Sequence, residues 1–366
     1  MLPSTQLSRR KFLAGAAAVA AVAAPSARAN APVRLRVQTA FAGRDIVHEY
    51  AVELAARIKE LTAGRLLLDI LPAGAVVKVS DMLDAVHAGT LDGCFAAPSI
   101  WYGKNAAVSL FGTGPCLGMD GWVLLGWMQY GGGQLLYDEM YQQVMKMSVQ
   151  GFLTIPLPTQ PLGWFKKEVK SVADFKGLKY RTVGLSMDLF KELGATVVFL
   201  PGPDIVPGLD RGLIDAAEYN SVTSDRLMGF PDVAKICMAR SYHQPMECLE
   251  LLLNKKKFDP LPADVKAAVK NVCSALSGDM TYRAMDRNSK DLVDLRKQGI
   301  RFIKTPNDIL KAQLEAWDKI EKRKSEENPF FAKVIASQRK WAERVVPWYE
   351  FFTVPNDIAA AHYWKT

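Results

Sequence analysis

The chain of 366 residues has few of the residues on which catalysis and metal chemistry usually depend. It contains four histidines and five cysteines, and no two cysteines form a C-x-x-C pair, so a zinc site is not expected. The sequence motifs of serine hydrolases, zinc metalloproteases, P-loop proteins and dinucleotide-binding folds are absent. No catalytic constellation is visible, which favours a binding protein over an enzyme. The cysteines leave two alternatives open: one disulfide, with Cys237 and Cys248 the nearest pair, or buried free thiols.

Long apolar runs are also scarce, and the only marked one lies near the start of the chain. The run Phe12–Ala24 follows the pair Arg9-Arg10 and is too short for a permanent membrane span. An A-x-A cleavage site follows at residues 27–29. We interpret residues 1–29 as a twin-arginine (Tat) signal peptide, which predicts a periplasmic location. The alternatives are a Sec signal that carries two arginines and, less favoured, a buried N-terminal helix.

The positive charge of the chain is concentrated in this leader. The whole sequence has 46 basic and 38 acidic residues, a net charge of +8. The leader holds Arg9, Arg10, Lys11 and Arg28 and no acidic residue, so the remainder has a net charge of about +4. A surplus of that size does not indicate a nucleic-acid partner, although it modestly favours anionic ligands.

Two similar α/β units follow one another along the rest of the chain. Each alternates strands and helices, the pattern of a parallel sheet. The predicted strands are 33–39, 66–71 and 93–96 in the first unit, and 179–183, 196–200 and 214–218 in the second. Two such units in tandem predict an α/β fold with two lobes and a cleft between them. Ligands of open α/β sheets bind beyond the carboxyl ends of the strands, so the segments 94–101 and 217–221 should face the cleft.

The remaining segments suggest how the lobes are connected. The apolar stretches 151–157 and 248–253 are predicted hinge strands between the lobes. Long helical patterns cover 262–299, 306–326 and 329–345. We therefore predict lobe I from residues 30–150 and 254–290. Lobe II and the interlobe helices are predicted from residues 158–247 and 291–366.

Scattered motifs in a consistent order give the chain a strong resemblance to a known family. They are Pro72–Val77, Asp84–Gly89, Trp101–Lys104, Gly163–Phe165, Asp174–Arg181, Asp215–Tyr219 and Gly229-Phe230. With them the sequence resembles the DctP-type solute-binding proteins of TRAP transporters, and within these the branch that binds 2-oxo acids and other monocarboxylates through a cation. The resemblance covers essentially the whole chain after the leader. It implies a two-lobed periplasmic binding protein fold of the type II-like class, with hinge strands and long C-terminal helices.

The resemblance also implies roles for individual residues. Arg181 matches the arginine that binds the ligand carboxylate, a role that suits the planar, two-pronged guanidinium. Gln160, Glu218, the backbone carbonyl of Tyr219 and Gln244 match the positions that hold the cation, with Gln160 also near the ligand. These are oxygen ligands suited to a hard ion. With one formal negative charge among them, Na⁺ is favoured and Ca²⁺ is the alternative.

Four more residues are candidates for ligand contact. Trp101 and Phe95 lie on the first predicted cleft segment and could pack on an apolar part of the ligand, and Tyr102 could donate a hydrogen bond. Asn220 follows Tyr219 at a position where relatives often have a bulkier apolar residue.

The resemblance implies a receptor that captures a small organic anion and delivers it to the membrane permease subunits of a TRAP transporter, with a homodimer as a possible assembly. Two other classes stay open on the sequence: a periplasmic enzyme that acts on a carboxylate, and a ligand receptor for a sensor. The first would need an acid–base pair or nucleophile, and none is visible.

Overall fold

Two β-sheets organise the chain in its computed structural model, which describes residues 31–114 and 117–364. The predicted signal peptide, residues 1–29, lies outside the described residues. The first sheet has five strands in the order β2-β1-β3-β10-β4, and the second has six in the order β11-β9-β5-β8-β6-β7. The predicted α/β fold class is confirmed.

The first sheet mixes parallel and antiparallel strands. Its members are β1 (Val33–Thr39), β2 (Leu66–Leu71), β3 (Gly93–Ala96), β4 (Val149–Leu157) and β10 (Glu247–Asn254). Strands β1, β2 and β3 are parallel, as the alternating pattern predicted, and their observed bounds equal the predicted ones. Strand β10 runs antiparallel to both β3 and β4. Every residue of β10 is buried, which is consistent with its largely apolar sequence.

The second sheet holds the repeat of the first unit and three strands that were not predicted. Its members are β5 (Gly163–Phe165), β6 (Lys179–Arg181), β7 (Thr196–Val198), β8 (Ala216–Ala217), β9 (Ile236–Ala239) and β11 (Arg301–Lys304). Strands β6, β7 and β8 are parallel and correspond to the predicted second unit, although each is shorter than expected. The strands β5, β9 and β11 have three or four residues, too few for a clear alternation.

Thirteen α-helices accompany the sheets in the described part of the chain. They are α1 (Ile46–Leu61), α2 (Met82–Ala88), α3 (Gly121–Tyr130), α4 (Gly133–Glu139), α5 (Ser186–Glu192), α6 (Gly202–Asp210), α7 (Val222–Met228), α8 (Phe230–Val233), α9 (Lys255–Phe258), α10 (Ala263–Lys297), α11 (Asn307–Glu327), α12 (Pro329–Phe352) and α13 (Asn356–Tyr363). The three long helices at the end of the chain were predicted, and α12 continues seven residues past its predicted end at 345. None of these helices combines the length and apolarity that a bilayer crossing requires.

Local chemistry sets the helix ends nearest the sheets. Asp45 caps α1, because its carboxylate accepts a hydrogen bond of 3.0 Å from the backbone N–H of Val47. Helix α2 ends at Gly89, whose φ of +85° is a left-handed conformation that glycine adopts without strain. Asn328 caps α12 through bonds to the N–H groups of Phe330 and Phe331.

The chain passes between the two sheets at β4, at β10 and after α10. Strands β4 and β10 are antiparallel neighbours and coincide with the predicted hinge segments 151–157 and 248–253. Their register shifts beside Ile155, which has a φ of +42° and donates its N–H to Ser277 Oγ of α10 at 3.0 Å. A β-branched residue at positive φ is strained, so α10 braces a bulge in the middle of the connection. The hinge motion and the lobe boundaries stay predictions.

The C-terminal helices join both halves of the molecule. Helix α11 packs on α5 beside the second sheet, whereas α12 packs on α3 and α4 beside the first. The last turns of α12 and the residues after them leave large apolar side chains exposed, and α13 buries no residue. The four cysteines that the structure describes, Cys94, Cys237, Cys248 and Cys273, are buried free thiols, so the alternative of a Cys237–Cys248 disulfide is wrong.

Strand β10 carries a carboxylate into the core of the first lobe. Glu250 is fully buried, and its oxygens accept hydrogen bonds from Trp101 Nε1 (2.7 Å), Tyr141 Oη (2.8 Å) and Tyr137 Oη. Burial raises the pKa of Glu250 from 4.5 to about 7, even though the hydrogen bonds from the three donors oppose this rise. Four segments, namely β10, α4, the π-helical turn Met140–Val144 after it and the turn after β3, therefore meet on one acidic group.

We predict that Glu250 makes stability depend on pH in a definite direction. Because its pKa is higher in the folded state, its contribution is full below pH 4.5 and is lost as the pH rises through about 7. The free energy of unfolding of the wild type should therefore fall from about pH 5 to about pH 8 relative to that of Glu250→Gln. Urea unfolding across this range tests the difference, with the exposed Glu60→Gln as the control. Parallel curves for wild type and Glu250→Gln would contradict the prediction.

Candidate functional site

A cavity of about 50 Å³ lies where the two units of the fold meet. Ala97, Ser99 and Ile100 line it from the turn after β3, and Tyr219 and Asn220 line it from the end of β8. The expectation that segments 94–101 and 217–221 face one cleft is supported. The cavity volume is several times the ~10–15 Å³ that one water molecule needs, so the cavity has room for a small organic molecule.

Arg181 at the end of β6 supplies the positive charge of this cavity. It is 4 % exposed, and its guanidinium is held by fixed acceptors: Nε donates to the Leu200 carbonyl at 2.9 Å, and Nη1 donates to the side chain (2.9 Å) and the backbone carbonyl (3.0 Å) of Glu218. Among the described residues Nη2 has no hydrogen-bond acceptor. That nitrogen therefore remains to bind an anion in the cavity.

Glu218 pairs with Arg181 and also contributes to a second group of polar atoms. Its Oε1 accepts from Arg181, and its Oε2 lies 2.8 Å from the amide end of the Gln160 side chain. Glu218 is fully buried, and burial raises its pKa although the Arg181 guanidinium lowers it. The carboxylate thus connects the arginine to the neighbouring amides.

Four oxygen-bearing groups converge at that point, and we call them the oxygen cage: Glu218 Oε2, the Tyr219 carbonyl, Gln244 Oε1 and the Gln160 amide. The Gln160 amide end lies 2.8 Å from Gln244 Oε1 and 3.2 Å from the Tyr219 carbonyl oxygen. A backbone bond of 3.1 Å from Gln160 to Gln244 holds the two glutamines side by side. The structure thus brings together all four residues that the sequence assigned to a cation.

The chemistry of the oxygen cage fits a hard cation. The Gln160 amide can be turned in two ways. If its nitrogen points inward, it donates hydrogen bonds to the other three oxygens of the cage. If its oxygen points inward, four oxygens face one another and need a positive charge between them. The described residues contain no group of three His, Cys, Asp or Glu side chains that could hold a metal ion. Neutral carbonyl oxygens with one carboxylate suit Na⁺ or Ca²⁺ rather than a transition metal.

Glu247 is a cavity residue that the sequence analysis missed. It is 3 % exposed, lines the cavity, and accepts hydrogen bonds from Ser99 Oγ (2.6 Å) and Gln244 Nε2. By holding the nitrogen of Gln244, it turns the oxygen of that amide toward the oxygen cage. Burial raises the pKa of Glu247 from 4.5 to about 8. A signal was present in the sequence, since an acidic residue in a largely apolar, buried strand needs a buried partner.

The three predicted aromatic contacts lie elsewhere, which corrects that expectation. Trp101 points into the core and donates to Glu250, and Phe95 is fully buried in β3. Tyr102 donates to Asp188 of α5 at 2.5 Å, outside the cavity lining. The turn Pro98–Gly103 is a 3₁₀ helix, so successive side chains point in different directions; Ser99 and Ile100 reach the cavity and Trp101 does not.

Tyr219 extends the site toward the first lobe. Its carbonyl belongs to the oxygen cage, the Arg181 guanidinium lies 5.9 Å from its ring centre, and its hydroxyl donates to Asp45 at 2.6 Å. Asp45 also accepts from Ser224 Oγ at 2.9 Å and caps α1. Burial raises the pKa of Asp45, and these hydrogen bonds lower it in part. Tyr219 therefore joins the oxygen cage to α1, the first helix of the first lobe.

Comparison with known proteins places the chain among solute receptors. The model of the bacterial extracellular solute-binding protein family 7, DctP, matches residues 37–328. A monocarboxylate 2-oxoacid-binding periplasmic protein of Nostoc is 29 % identical over 299 residues, which are 81 % of each chain.

Solved structures give the same result for the fold. A TRAP transporter solute-binding protein from Bordetella bronchiseptica, a mixed-occupancy dimer with calcium and picolinate, has a TM-score of 0.85 at 27 % identity and covers 91 % of this chain and 97 % of its own. A TRAP periplasmic solute-binding protein from Pseudoalteromonas atlantica, with sodium and pyruvate, has a TM-score of 0.81 at 26 % identity over 91 % of this chain and 99 % of its own.

We predict that Glu247 controls cation affinity through the orientation of Gln244. In Glu247→Leu the amide nitrogen of Gln244 loses its acceptor, and the affinity for Na⁺ or Ca²⁺ should fall by about 10- to 100-fold. Glu247→Gln keeps an acceptor oxygen for Gln244 and should lose less. Thermal melting over a titration of NaCl or CaCl₂ measures the effect, with choline chloride as the ionic-strength control. An unchanged cation midpoint in Glu247→Leu would contradict this role.

Proposed function

The chain belongs to family 7 of the bacterial extracellular solute-binding proteins, the DctP family, and is therefore a solute receptor of the TRAP type rather than an enzyme; we propose that its ligand is a small monocarboxylate, most specifically a 2-oxo acid. The observation that carries the proposal is the meeting of Arg181 and the oxygen cage at one small buried cavity. The Nostoc relative is a 2-oxoacid-binding protein and the Pseudoalteromonas structure contains bound pyruvate, and both support the same ligand class.

In this proposal two parts of the site hold the acid. Nη2 of Arg181 donates to the ligand carboxylate, while the fixed acceptors on Nε and Nη1 keep the guanidinium in place. Gln160, Glu218, the Tyr219 carbonyl and Gln244 hold a cation, which supplies positive charge next to the ligand oxygens. Glu218 is the only carboxylate in the oxygen cage and is already paired with Arg181, so we favour Na⁺ over Ca²⁺.

We further propose that the protein works in the periplasm. The twin-arginine leader at residues 1–29 would export it, and the membrane permease subunits of a TRAP transporter would receive its ligand. Strands β4 and β10 would act as the hinge about which the lobes close on the ligand. Glu247 and Leu249 of β10 and Leu157 of β4 line the cavity, which supports a link between the hinge and the bound ligand.

The ligand class is tested by binding of pyruvate and its relatives to the protein without its leader. We expect stabilisation of about 2.7 kcal/mol at a pyruvate concentration of 100 Kd, and only when Na⁺ or Ca²⁺ is present. Arg181→Lys keeps the charge but removes the planar fork, and should weaken binding by about 30-fold or more. Calorimetric titration measures the affinity, with Arg211→Ala, an exposed arginine, as the control. If no monocarboxylate binds with any of these cations, the proposed ligand class fails.

We also propose a homodimer that covers the end of the chain. Large apolar side chains are exposed on the last turns of α12, on α13 and directly after it, with exposed fractions of 58 % for Trp348, 82 % for Phe351, 66 % for Ile358 and 69 % for Trp364. A cluster of this kind marks an interaction surface. The Bordetella relative was solved as a dimer.

The dimer is tested by light scattering after size-exclusion chromatography. The wild type should have twice the mass of one chain at about 50 µM, and Phe351→Glu combined with Ile358→Glu should have the mass of one chain, because buried charges oppose association. Tyr130→Glu, which alters an aromatic that is 87 % exposed elsewhere, is the matched control and should stay dimeric. A monomeric wild type would refute the assembly.

A further inference from the structure

Asn220 is a polar residue of the cavity whose side chain has no role in the proposed binding of the ligand carboxylate or the cation. Its side chain is 2 % exposed, and in the described part of the chain neither Oδ1 nor Nδ2 has a hydrogen-bond partner. Both atoms belong to a residue that lines the cavity. A buried amide without partners is disfavoured, so this one needs a group that the protein itself does not supply.

The backbone around Asn220 is fixed by a buried network. Its N–H donates to Asp225 Oδ1 at 3.1 Å, and Asp225 Oδ2 accepts from Trp164 Nε1 at 2.7 Å. The preceding carbonyl, that of Tyr219, belongs to the oxygen cage. The position of Asn220 next to the cation ligands is therefore set by the same segment that builds the oxygen cage.

The other polar side chains of the cavity already have roles. Ser99 and Glu247 are bonded to each other, and Arg181 and Gln160 serve the carboxylate and the cation. Most of the remaining lining is apolar, contributed by Phe41, Val79, Ile100, Leu157, Val183, Phe199 and Leu249. An amide with both ends open matches a group that can both donate and accept, such as a hydroxyl or a carboxamide.

We propose that Asn220 recognises a hydroxyl or amide substituent of the ligand, so that the preferred ligand is a small 2-oxo acid with a second polar group rather than a plain alkyl 2-oxo acid. This inference rests on the proposed function, since it takes the carboxylate and cation ends of the ligand as given. The cavity of about 50 Å³ keeps the whole molecule small, so the second polar group must lie close to the 2-oxo carbon.

The test compares 3-hydroxypyruvate with 2-oxobutanoate, which have the same shape and differ only in a terminal hydroxyl or methyl group. Calorimetric titration in Na⁺ should give wild-type protein at least about tenfold higher affinity for 3-hydroxypyruvate, because that hydroxyl alone can satisfy Asn220. Asn220→Leu, which has the same side-chain shape and no polar atoms, should lose or reverse this preference. The melting temperature of ligand-free Asn220→Leu should rise, because the unpartnered amide is gone.

The possible results separate the inference about Asn220 from the proposed function. Equal affinity for the two acids in the wild type overturns the inference and leaves the proposed function intact. A preference for 3-hydroxypyruvate that survives in Asn220→Leu also overturns it, because another residue must then recognise the hydroxyl. If ligand-free Asn220→Leu melts lower than the wild type, Asn220 supports the fold and the inference is again overturned. Failure of both acids, and of pyruvate, to bind the wild type refutes the proposed function itself.

Discussion

The buried pair of Arg181 and Glu218 is the interaction on which the rest of the site depends. Their closest atoms lie 2.9 Å apart, and both side chains are withdrawn from solvent. Two such charges are costly to bury, and their mutual attraction offsets the cost only with the help of further hydrogen bonds, which Arg181 Nε and Nη1 make to the carbonyls of Leu200 and Glu218. One oxygen of Glu218 accepts from the arginine and the other faces the oxygen cage, so the group proposed to hold the ligand carboxylate and the group proposed to hold the cation share one acid. In the proposed function, the ligand carboxylate would balance the charge of Arg181 and the cation would balance the charge of Glu218, so the two would bind as a unit.

Tyr219 explains how such a site could respond to closure of the lobes. Its carbonyl faces the oxygen cage, and its hydroxyl donates to Asp45 at the start of α1 in the first lobe. Gly202, which also lines the cavity, has room only for hydrogen there, since a Cβ would lie 2.7 Å from the Tyr219 hydroxyl. The Tyr219 ring therefore packs directly against the backbone of Gly202, and a side chain at position 202 would displace it. Any change that moves α1 away from the second lobe removes the acceptor of this hydroxyl, and it acts on the same residue that supplies an oxygen to the cage.

Much of this could be predicted from the sequence, and the failures have physical reasons. Strands β1 to β3 were predicted with their observed bounds because the alternation in 33–39 and the glycine- and proline-containing turns around the other two strands are strong local signals. Arg181, Gln160, Glu218, Tyr219 and Gln244 were identified through a resemblance, and the structure brings them together, although their roles stay predictions. Trp101 was misassigned because sequence position cannot tell which way a side chain leaves a 3₁₀ turn, and here the buried acceptor Glu250 draws it into the core. The partner that directs Trp101 lies 149 positions along the chain, beyond the reach of any local pattern.

The two buried acids of β10 show how one strand can serve both the fold and the site. Glu247 and Glu250 are three positions apart, and in a strand an odd spacing places side chains on opposite faces. Glu247 therefore faces the cavity and orients Gln244, while Glu250 faces the tyrosines of the first lobe. Between them the pairing with β4 shifts register beside the strained residue Ile155. A regular ladder through this point would resist bending along its whole length, whereas a bulge concentrates any bend beside it. The bulge thus lies between Glu250, which is anchored in the core, and Glu247, which lines the cavity. A bend at the predicted hinge would therefore move Glu247 without disturbing the hydrogen bonds of Glu250.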